Sequence, residues 1–207
     1  PFAASSIPLV TLGTFLLWFG WFGFNGFSQL AMGTFDDVNA ISKIAVNTHL
    51  AGAAGTVTGA ALTRLIGGKT DIVMMLNGAL AGLVAITAEP LTPGPITAMV
   101  IGSIGAVIMY YGTKLLENLG LDDVVGAIPV HMFAGIFGTL VVPFTNSDTS
   151  FGTQFVGVIS VCVFSFVLSW ITFSTLKSTV GLRISKAAEK LGTDKAEVGV
   201  IAYSIRD

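Results

Sequence analysis

The chain has 207 residues, of which 53% are hydrophobic and only 11% are charged. Soluble domains carry about 25% charged residues, so these few charges and the mean hydropathy of +0.82 indicate a protein of the lipid bilayer. The net charge of -2 argues against a nucleic-acid partner, and the single cysteine, Cys162, excludes a disulfide framework and a cysteine-based metal site.

Six apolar stretches approach or exceed the roughly 20 residues that a helix needs to cross the hydrocarbon core. The predicted transmembrane helices lie within residues 1-178, at about 7-30, 38-65, 70-88, 95-117, 123-143 and 153-177. Residues 179-207 turn polar and are predicted to form a tail outside the membrane. The predicted fold class is therefore an all-α membrane protein, a polytopic helical bundle. The chain begins at Pro1 without a signal peptide and shortly before an apolar stretch, so we expect a piece of a longer protein.

Lysine and arginine gather in the loops on one side of these spans, which is typical of cytoplasmic loops. The nine basic residues on that side are Arg64, Lys69, Lys114, Lys177, Arg183, Lys186, Lys190, Lys195 and Arg206. Only Lys43 falls on the other side. This asymmetry predicts that the tail is cytoplasmic and, because the number of spans is even, that the chain also starts in the cytoplasm.

Few polar side chains are expected at membrane depth, where burial is costly and therefore marks candidate functional sites. They are Asn25, Ser28, Asn47, His49, Asn77 and His131. No carboxylate is predicted within a span, which argues against sodium-coupled transport and proton pumping. For His49 the pattern favours a role in packing between helices, with Asn47 and Thr48 as ready partners.

His131 is predicted to lie about two turns into the fifth span, just after Pro129. Pro129 removes a backbone donor and opens the helix locally. A neutral imidazole there can donate from one nitrogen and accept at the other, which suits a small polar solute moving along an apolar tube. A structural, hydrogen-bonded histidine is the alternative. Asp122 and Asp123 are predicted to cap the start of this helix, where carboxylates favour the positive end of the dipole.

The first span carries aromatic side chains inward from one end, and Trp21, Phe24 and Ser28 are spaced to share one helix face. Aromatic faces attract cations, and a hydroxyl accepts hydrogen bonds from N–H donors. This face therefore suits a small cation, although an interfacial aromatic belt or simple packing would have the same composition.

Four stretches of the sequence resemble the ammonium transporter (Amt/Mep/Rh) family, in its bacterial Amt branch. They are GTFLLWFGWFGFNGFS, LNGALAGLVAITA, LDDVVGAIPVHMFAGIFGTL, and a tail that reads VGLRIS followed by GTDKAEVGVIAY. The resemblance implies half of an eleven-span architecture of two inverted repeats, with these six spans corresponding to family spans six to eleven. It also implies a homotrimer with one narrow pore per subunit, in the inner or plasma membrane.

The resemblance assigns roles to individual residues. It places Trp21 at the pore entrance, Phe24 as one of two gating phenylalanines, Ser28 as the hydroxyl of the external ammonium site, and His131 as the second of two pore histidines. The substrate implied is ammonium or ammonia, with methylammonium as an analogue, and no cofactor is implied. A nitrogen-regulatory PII-type protein is a candidate partner of the tail.

The tail keeps part of the family's pattern. Gly192, Asp194, Gly199, Ala202 and Tyr203 agree with it. Thr193, Val198 and Val200 depart from it, which weakens the case for regulation by PII.

The predicted function is therefore ammonium transport, in which ammonium is recruited outside and ammonia is conducted past His131. Two alternatives stay open: an ammonium-sensing membrane domain of a signalling protein, and a channel for a neutral gas. An enzyme is not predicted, because the sequence shows no nucleophile–base pair, metal-ligand cluster or phosphate-binding loop.

Overall fold

A computed structural model of the chain describes residues 5–202. Residues 1–4 and 203–207, including Tyr203 and Arg206, lie outside the described residues. Every regular element between residues 5 and 202 is helical. The described chain divides into two compact units, residues 7–158 and a second unit formed by 159–202 with residues 5 and 6.

The first unit contains five helices and the beginning of a sixth. They are α1 (Ile7–Gly26), α2 (Phe35–Gly67), α3 (Ile72–Thr87), α4 (Pro95–Asn118), α5 (Ile128–Phe144) and the first turns of α6 (Phe151–Thr179). A 3₁₀ turn, Phe27–Gln29, extends α1. Helices α2, α3 and α4 pack against one another, α1 covers α2 and α3, and α5 packs on α3 and α4.

The helix starts are set by local side-chain chemistry. The hydroxyl of Thr34 accepts a hydrogen bond from the backbone N–H of Asp37, and the Asp37 carboxylate accepts one from the N–H of Thr34. This reciprocal pair satisfies N–H groups that have no partner within α2. At the start of α3 the Asp71 carboxylate accepts a hydrogen bond from the N–H of Met74 at 3.0 Å. Pro95 occupies the first turn of α4, where a missing N–H costs nothing.

The three central helices meet at Ala51, which is fully buried in α2. A Cβ added to Gly82 of α3 or to Gly102 of α4 would collide with the carbonyl oxygen of Ala51. Helix backbones come this close only where side chains are absent, and such contacts are typical of helix packing in membranes. The small residues of these spans therefore determine how α2, α3 and α4 cross.

A second structural centre is formed by buried residues from α3, α4 and α5. This cluster, called here the α3–α5 core, consists of Leu80, Ala81, Leu83, Met109, Val130 and Ala134. Trp18 and Trp21 of α1 pack against it. The same core thus supports the aromatic face of α1 and the turn of α5 that carries His131.

Three described helical segments are long and apolar enough to cross a membrane, namely Ile7–Gln29, Pro95–Asn118 and Phe151–Thr179. Ile72–Thr87 and Ile128–Phe144 are shorter apolar helices. Helix α6 buries none of its 29 residues, which is compatible with an apolar helix that faces hydrocarbon. The six membrane crossings and their boundaries stay predictions. In the structure, α5 begins at Ile128, after the chain turns at Gly126 with a φ of +74°.

The second unit contains the rest of α6, a short helix α7 (Lys186–Leu191) and a wide turn over Asp194–Val198. Ser185 caps α7 by accepting a hydrogen bond from the N–H of Ala188. The Asp194 carboxylate accepts from the N–H of Ala202 at 2.9 Å, and this bond is the main reason that its pKa lies below the usual value. The predicted tail is therefore locally folded over its described residues.

Candidate functional site

The aromatic face predicted on α1 is present as a pair of rings. The centroids of Trp21 and Phe24 lie 5.7 Å apart with the rings tilted by 59°. Phe24 is 65% exposed, whereas Trp21 is partly buried against the α3–α5 core. An exposed ring beside an anchored one leaves an aromatic surface open to a ligand.

Trp21 is held in place from another helix. Its indole Nε1 donates a hydrogen bond to the hydroxyl of Thr87 at 2.7 Å, and that hydroxyl donates to the carbonyl of Leu83 at 2.7 Å. Sequence reasoning missed Thr87, because a threonine in a helix ordinarily bonds to its own backbone and raises no signal. The contact spans 66 residues of sequence and required the packing of α1 on α3.

Ser28 lies on the 3₁₀ turn after α1, where its side chain is exposed. The turn ends at Leu30, which adopts a left-handed conformation with a φ of +60°. Its other polar residue, Gln29, donates from Nε2 to the Asp37 carboxylate at 3.0 Å. Hydrogen bonds from Thr34 and then Gln29 lower the pKa of Asp37. The turn that carries Ser28 is thus tied to the start of α2.

A buried hydrogen bond also ties α1 to α2 between Phe24 and Ser28. Asn25 is fully buried and donates from Nδ2 to the Thr48 hydroxyl at 2.9 Å. Asn47, which precedes Thr48 on α2, donates from Nδ2 to the carbonyls of Pro90 and Pro93 at 2.9 and 2.8 Å. Two of the polar groups singled out in the sequence are therefore structural ties between elements.

His49 stands apart from these polar ties. Its ring lies 5.5 Å from Trp18 and 6.2 Å from Phe22, and the side chain is exposed in this chain. The expectation that Asn47 and Thr48 serve as its partners is wrong, because both side chains are buried and bond to other elements. His49 makes aromatic contacts with α1, which agrees with the predicted role in packing between helices.

His131 lies in a widened turn at the start of α5. Residues Ile128–Phe133 form a π-type turn, and the N–H of Ala134 reaches the carbonyls of both His131 and Pro129. Such turns add a residue to the helix and recur at functional sites. Pro129 and Val130 are buried while His131 is exposed, so the turn directs the imidazole away from the core.

The residues before this turn organise its start. The Asp123 carboxylate accepts hydrogen bonds from the N–H groups of Ala127 and Ile128 at 2.9 and 2.8 Å. Asp122 is exposed. From α3, Asn77 donates from Nδ2 to the carbonyl of Val125 at 3.0 Å. Sequence reasoning noted Asn77 as a polar residue at membrane depth, but nothing in the sequence pointed to its partner.

The site therefore draws on two helices that pack on one core. Trp21 and Phe24 are in contact, Ser28 follows one turn later, and His131 projects from a different helix. In residues 5–202 no group of three histidine, cysteine, aspartate or glutamate side chains is arranged to hold a metal ion. The arrangement offers an aromatic surface, a free hydroxyl and an imidazole to a small polar solute.

Comparison with known proteins identifies the family of the chain. The sequence matches the Ammonium Transporter Family over residues 1–203. The chain belongs to this family. Ammonium transporters are not enzymes, which agrees with the lack of a nucleophile–base pair in the sequence. Membership also confirms the predicted resemblance, and it agrees with the prediction that the chain is part of a multi-pass membrane protein.

Individual family members are similar along almost the whole chain. Ammonium transporter Amt2 of Archaeoglobus fulgidus is 41% identical over 219 residues, which cover 96% of this chain and 46% of the relative. A putative ammonium transporter of Synechocystis, sll1017, is 38% identical over 193 residues, covering 91% of this chain and 44% of the relative. The chain thus spans about half the length of the curated relatives it matches.

Solved structures of the family share the fold. A protein described as a sensor Amt protein superposes with a TM-score of 0.85 at 35% identity, covering 93% of this chain and 49% of that one. Candida albicans Mep2 superposes with a TM-score of 0.78 at 27% identity, covering 91% and 45%. The predicted fold class, a helical bundle of the ammonium transporter type, is confirmed. The roles of Trp21, Phe24, Ser28 and His131 stay predictions.

Proposed function

We propose that the protein is an ammonium transporter, in which an aromatic–hydroxyl site recruits NH₄⁺ and a hydrophobic pore lined by His131 conducts ammonia. The family match over residues 1–203 carries the proposal. The exposure of the candidate residues supports it. Phe24, Ser28 and His131 are exposed in this chain, whereas Asn25 and Asn47 are buried and bonded.

Recruitment follows from the chemistry of the aromatic pair. A cation within about 6 Å of a ring centroid is attracted to the electron-rich face, and the attraction grows as water is removed. Trp21 is anchored by Thr87 and needs no reordering on binding, while the exposed Phe24 supplies a second ring. The Ser28 hydroxyl can accept a hydrogen bond from the ammonium N–H.

Passage beyond the rings favours the neutral molecule. Moving a bare ion into an apolar pore costs far more than moving ammonia, because a buried charge loses its hydration. Ammonium therefore passes its proton to water at the exposed recruitment site, before ammonia reaches the histidine. A neutral imidazole at His131 then accepts from or donates to ammonia without adding charge to the pore.

The wider assembly is part of the same proposal. We place six spans in the membrane, with the tail in the cytoplasm on the side of the nine basic residues. We propose a homotrimer in the cell membrane, and we keep a PII-type protein as a candidate partner of the locally folded tail. Cross-linking and pull-down of the purified protein test these two points separately.

Ammonium sensing is the second candidate function. The similarity to a solved sensor Amt protein, at 35% identity, favours it. A sensor would use the same aromatic–hydroxyl site to bind ammonium but would pass the signal to another domain or protein. Binding with little or no uptake is the observation that distinguishes it from a transporter.

The test is methylammonium uptake by transporter-deficient yeast that express the protein from its complete reading frame. His131→Ala should lower uptake by at least about tenfold, since the polar step in the apolar pore is lost. Ser28→Ala should raise the concentration needed for half-maximal uptake. His49→Ala is the matched control, because this second exposed histidine is not assigned to the proposed pore.

Each outcome has a distinct meaning. Wild-type uptake and selectivity in His131→Ala would refute the proposed pore. A wild-type protein that folds and binds ammonium but moves no methylammonium would favour the sensor. Uptake of a neutral gas that methylammonium does not compete with would favour a gas channel.

A further inference from the structure

One buried amide connects α3 to the turn that carries His131. Asn77 is only 9% exposed, and its Nδ2 donates a hydrogen bond to the carbonyl of Val125 at 3.0 Å. The two residues are 48 positions apart in sequence. Val125 lies in the connection between α4 and α5, six residues before the candidate pore histidine.

The carbonyl of Val125, which accepts the hydrogen bond from Asn77, lies just before the turn that carries His131. The next residue, Gly126, has a φ of +74°, and its own carbonyl accepts the N–H of Val130 at 3.1 Å. Ala127 and Ile128 donate their N–H groups to Asp123. The chain is therefore held by side chains on both sides of Gly126 before any regular hydrogen bonding of α5 is established.

External anchoring matters here because the turn itself is irregular. A π-type turn has a wider hydrogen-bonded ring than an α-helix, and such turns are rare. Pro129 contributes no N–H to it. The direction of the His131 side chain thus depends on where the turn starts, and Asn77 fixes that starting point relative to α3.

We propose that Asn77 is a positioning residue for His131. It acts through the Val125 carbonyl and the Gly126 turn, and it does not itself contact the transported molecule. The inference rests on the proposed function, because positioning is meaningful only if His131 lines the pore. A purely structural asparagine would affect the amount of folded protein but not the transport rate of each folded molecule.

The first variant is Asn77→Leu, which keeps the size of the side chain and removes the donor. We expect the maximal rate of methylammonium uptake, normalised to folded protein in the membrane, to fall by about fivefold, the factor that one hydrogen bond supplies. The concentration for half-maximal uptake should change little, because the Asn77 side chain bonds to the turn before His131 and not to a recruiting residue. Asn146→Leu is the control, since Asn146 likewise donates one side-chain amide hydrogen bond to a segment distant in sequence, to the Glu89 carboxylate at 2.8 Å. Its rate should stay within about twofold of wild type.

A second pair of variants tests the link from its other end. A Cβ on Gly126 would lie 2.7 Å from the Asn77 Nδ2 and would displace it. Gly120, in the same connection, has a similar φ of +68° and open space around its Cβ. Gly126→Ala and Gly120→Ala therefore carry the same backbone strain, but only the first disturbs Asn77.

We expect Gly126→Ala to reproduce the loss of rate seen in Asn77→Leu, and Gly120→Ala to transport normally. The double variant Asn77→Leu/Gly126→Ala should be no slower than either single variant, because both break the same link. The inference is overturned if Asn77→Leu and Gly126→Ala transport at the wild-type rate per folded molecule while His131→Ala does not. If His131→Ala itself transports normally, the proposed function fails instead.

Discussion

Replacing Gly102 by alanine is expected to force α4 away from α2. The added Cβ would lie 2.7 Å from both the carbonyl carbon and the Cα of Ala51, and closer still to the carbonyl oxygen. These are backbone atoms inside a helix, so they cannot rotate aside as the end of a flexible side chain does. The two helices must separate, and the contact of Gly82 with the same carbonyl is disturbed as well.

The magnitude follows from two opposing terms. Overpacking a well-packed contact costs about 1–3 kcal/mol. Alanine in a helix interior is favoured over glycine by about 0.5–1 kcal/mol. We therefore expect a net loss of about 1–2 kcal/mol in the free energy of unfolding, which is about a tenfold change in the folding equilibrium.

The assay is SDS-induced unfolding of the purified protein in mixed micelles, followed by the fluorescence of its three tryptophans. Gly102→Ala should unfold at a lower SDS fraction than wild type. Gly67→Ala, at the end of α2 with open space around its Cβ, should stay within about 0.5 kcal/mol of wild type. An unchanged midpoint for Gly102→Ala would mean that α2 and α4 do not meet at Ala51.

Three further predictions concern single polar contacts. Trp21→Phe and Thr87→Val should each raise the half-saturation concentration for methylammonium by about fivefold, because either change removes one hydrogen bond that anchors the recruiting ring. Asn47→Leu should lower the free energy of unfolding in SDS by about 1–3 kcal/mol, since it leaves two loop carbonyls without their donor. The hydrogen bond from Thr34 is the main reason that the pKa of Asp37 is lowered, so the cap stabilises α2 above the unfolded pKa and is lost as pH falls through the folded pKa. Acid should therefore reduce hydrogen-exchange protection at the first turn of α2.

The controls for these predictions use the same contacts. The double variant Trp21→Phe/Thr87→Val should be no worse than either single variant, and additive effects would contradict a shared hydrogen bond. Asn146→Leu removes one part-buried hydrogen bond, to the Glu89 carboxylate, whereas Asn47→Leu removes two buried ones. Asn146→Leu should therefore lower the free energy of unfolding by less than Asn47→Leu. Asp37→Asn should abolish the pH dependence of exchange protection, and a dependence that persists would assign it to another group.

Some properties of this protein follow from contiguous stretches of sequence. Apolar runs near the length of a membrane span indicate its class, and the placement of nine basic residues on one side predicts its orientation. Motifs such as DDVVGAIPVH identify the family because their residues are adjacent in the chain. Each of these signals depends on residues that are close together in the sequence, so it can be read without knowing how the helices pack.

The contacts of single polar residues were harder to predict from the sequence. Asn25, Asn47 and Asn77 looked alike in the sequence, as polar residues in apolar surroundings, but each turned out to tie a different pair of elements. Hydropathy also does not report that Gly126 turns the chain before α5 or that Asp123 caps the residues beyond this turn. The partners of His49 were wrong for a similar reason, since neighbouring residues on a helix point in different directions.

The sequence alone thus determined that this is a helical membrane protein of the ammonium transporter family, and it singled out His131 and the aromatic face of α1. Only the tertiary structure decided that Thr87 anchors Trp21, that Asn77 reaches the turn before His131, and that Ala51 is the meeting point of three helices. The physical reason is the range of the interactions. Hydropathy and charge act through the bilayer on contiguous segments, whereas these contacts join residues tens of positions apart and exist only once the helices are packed.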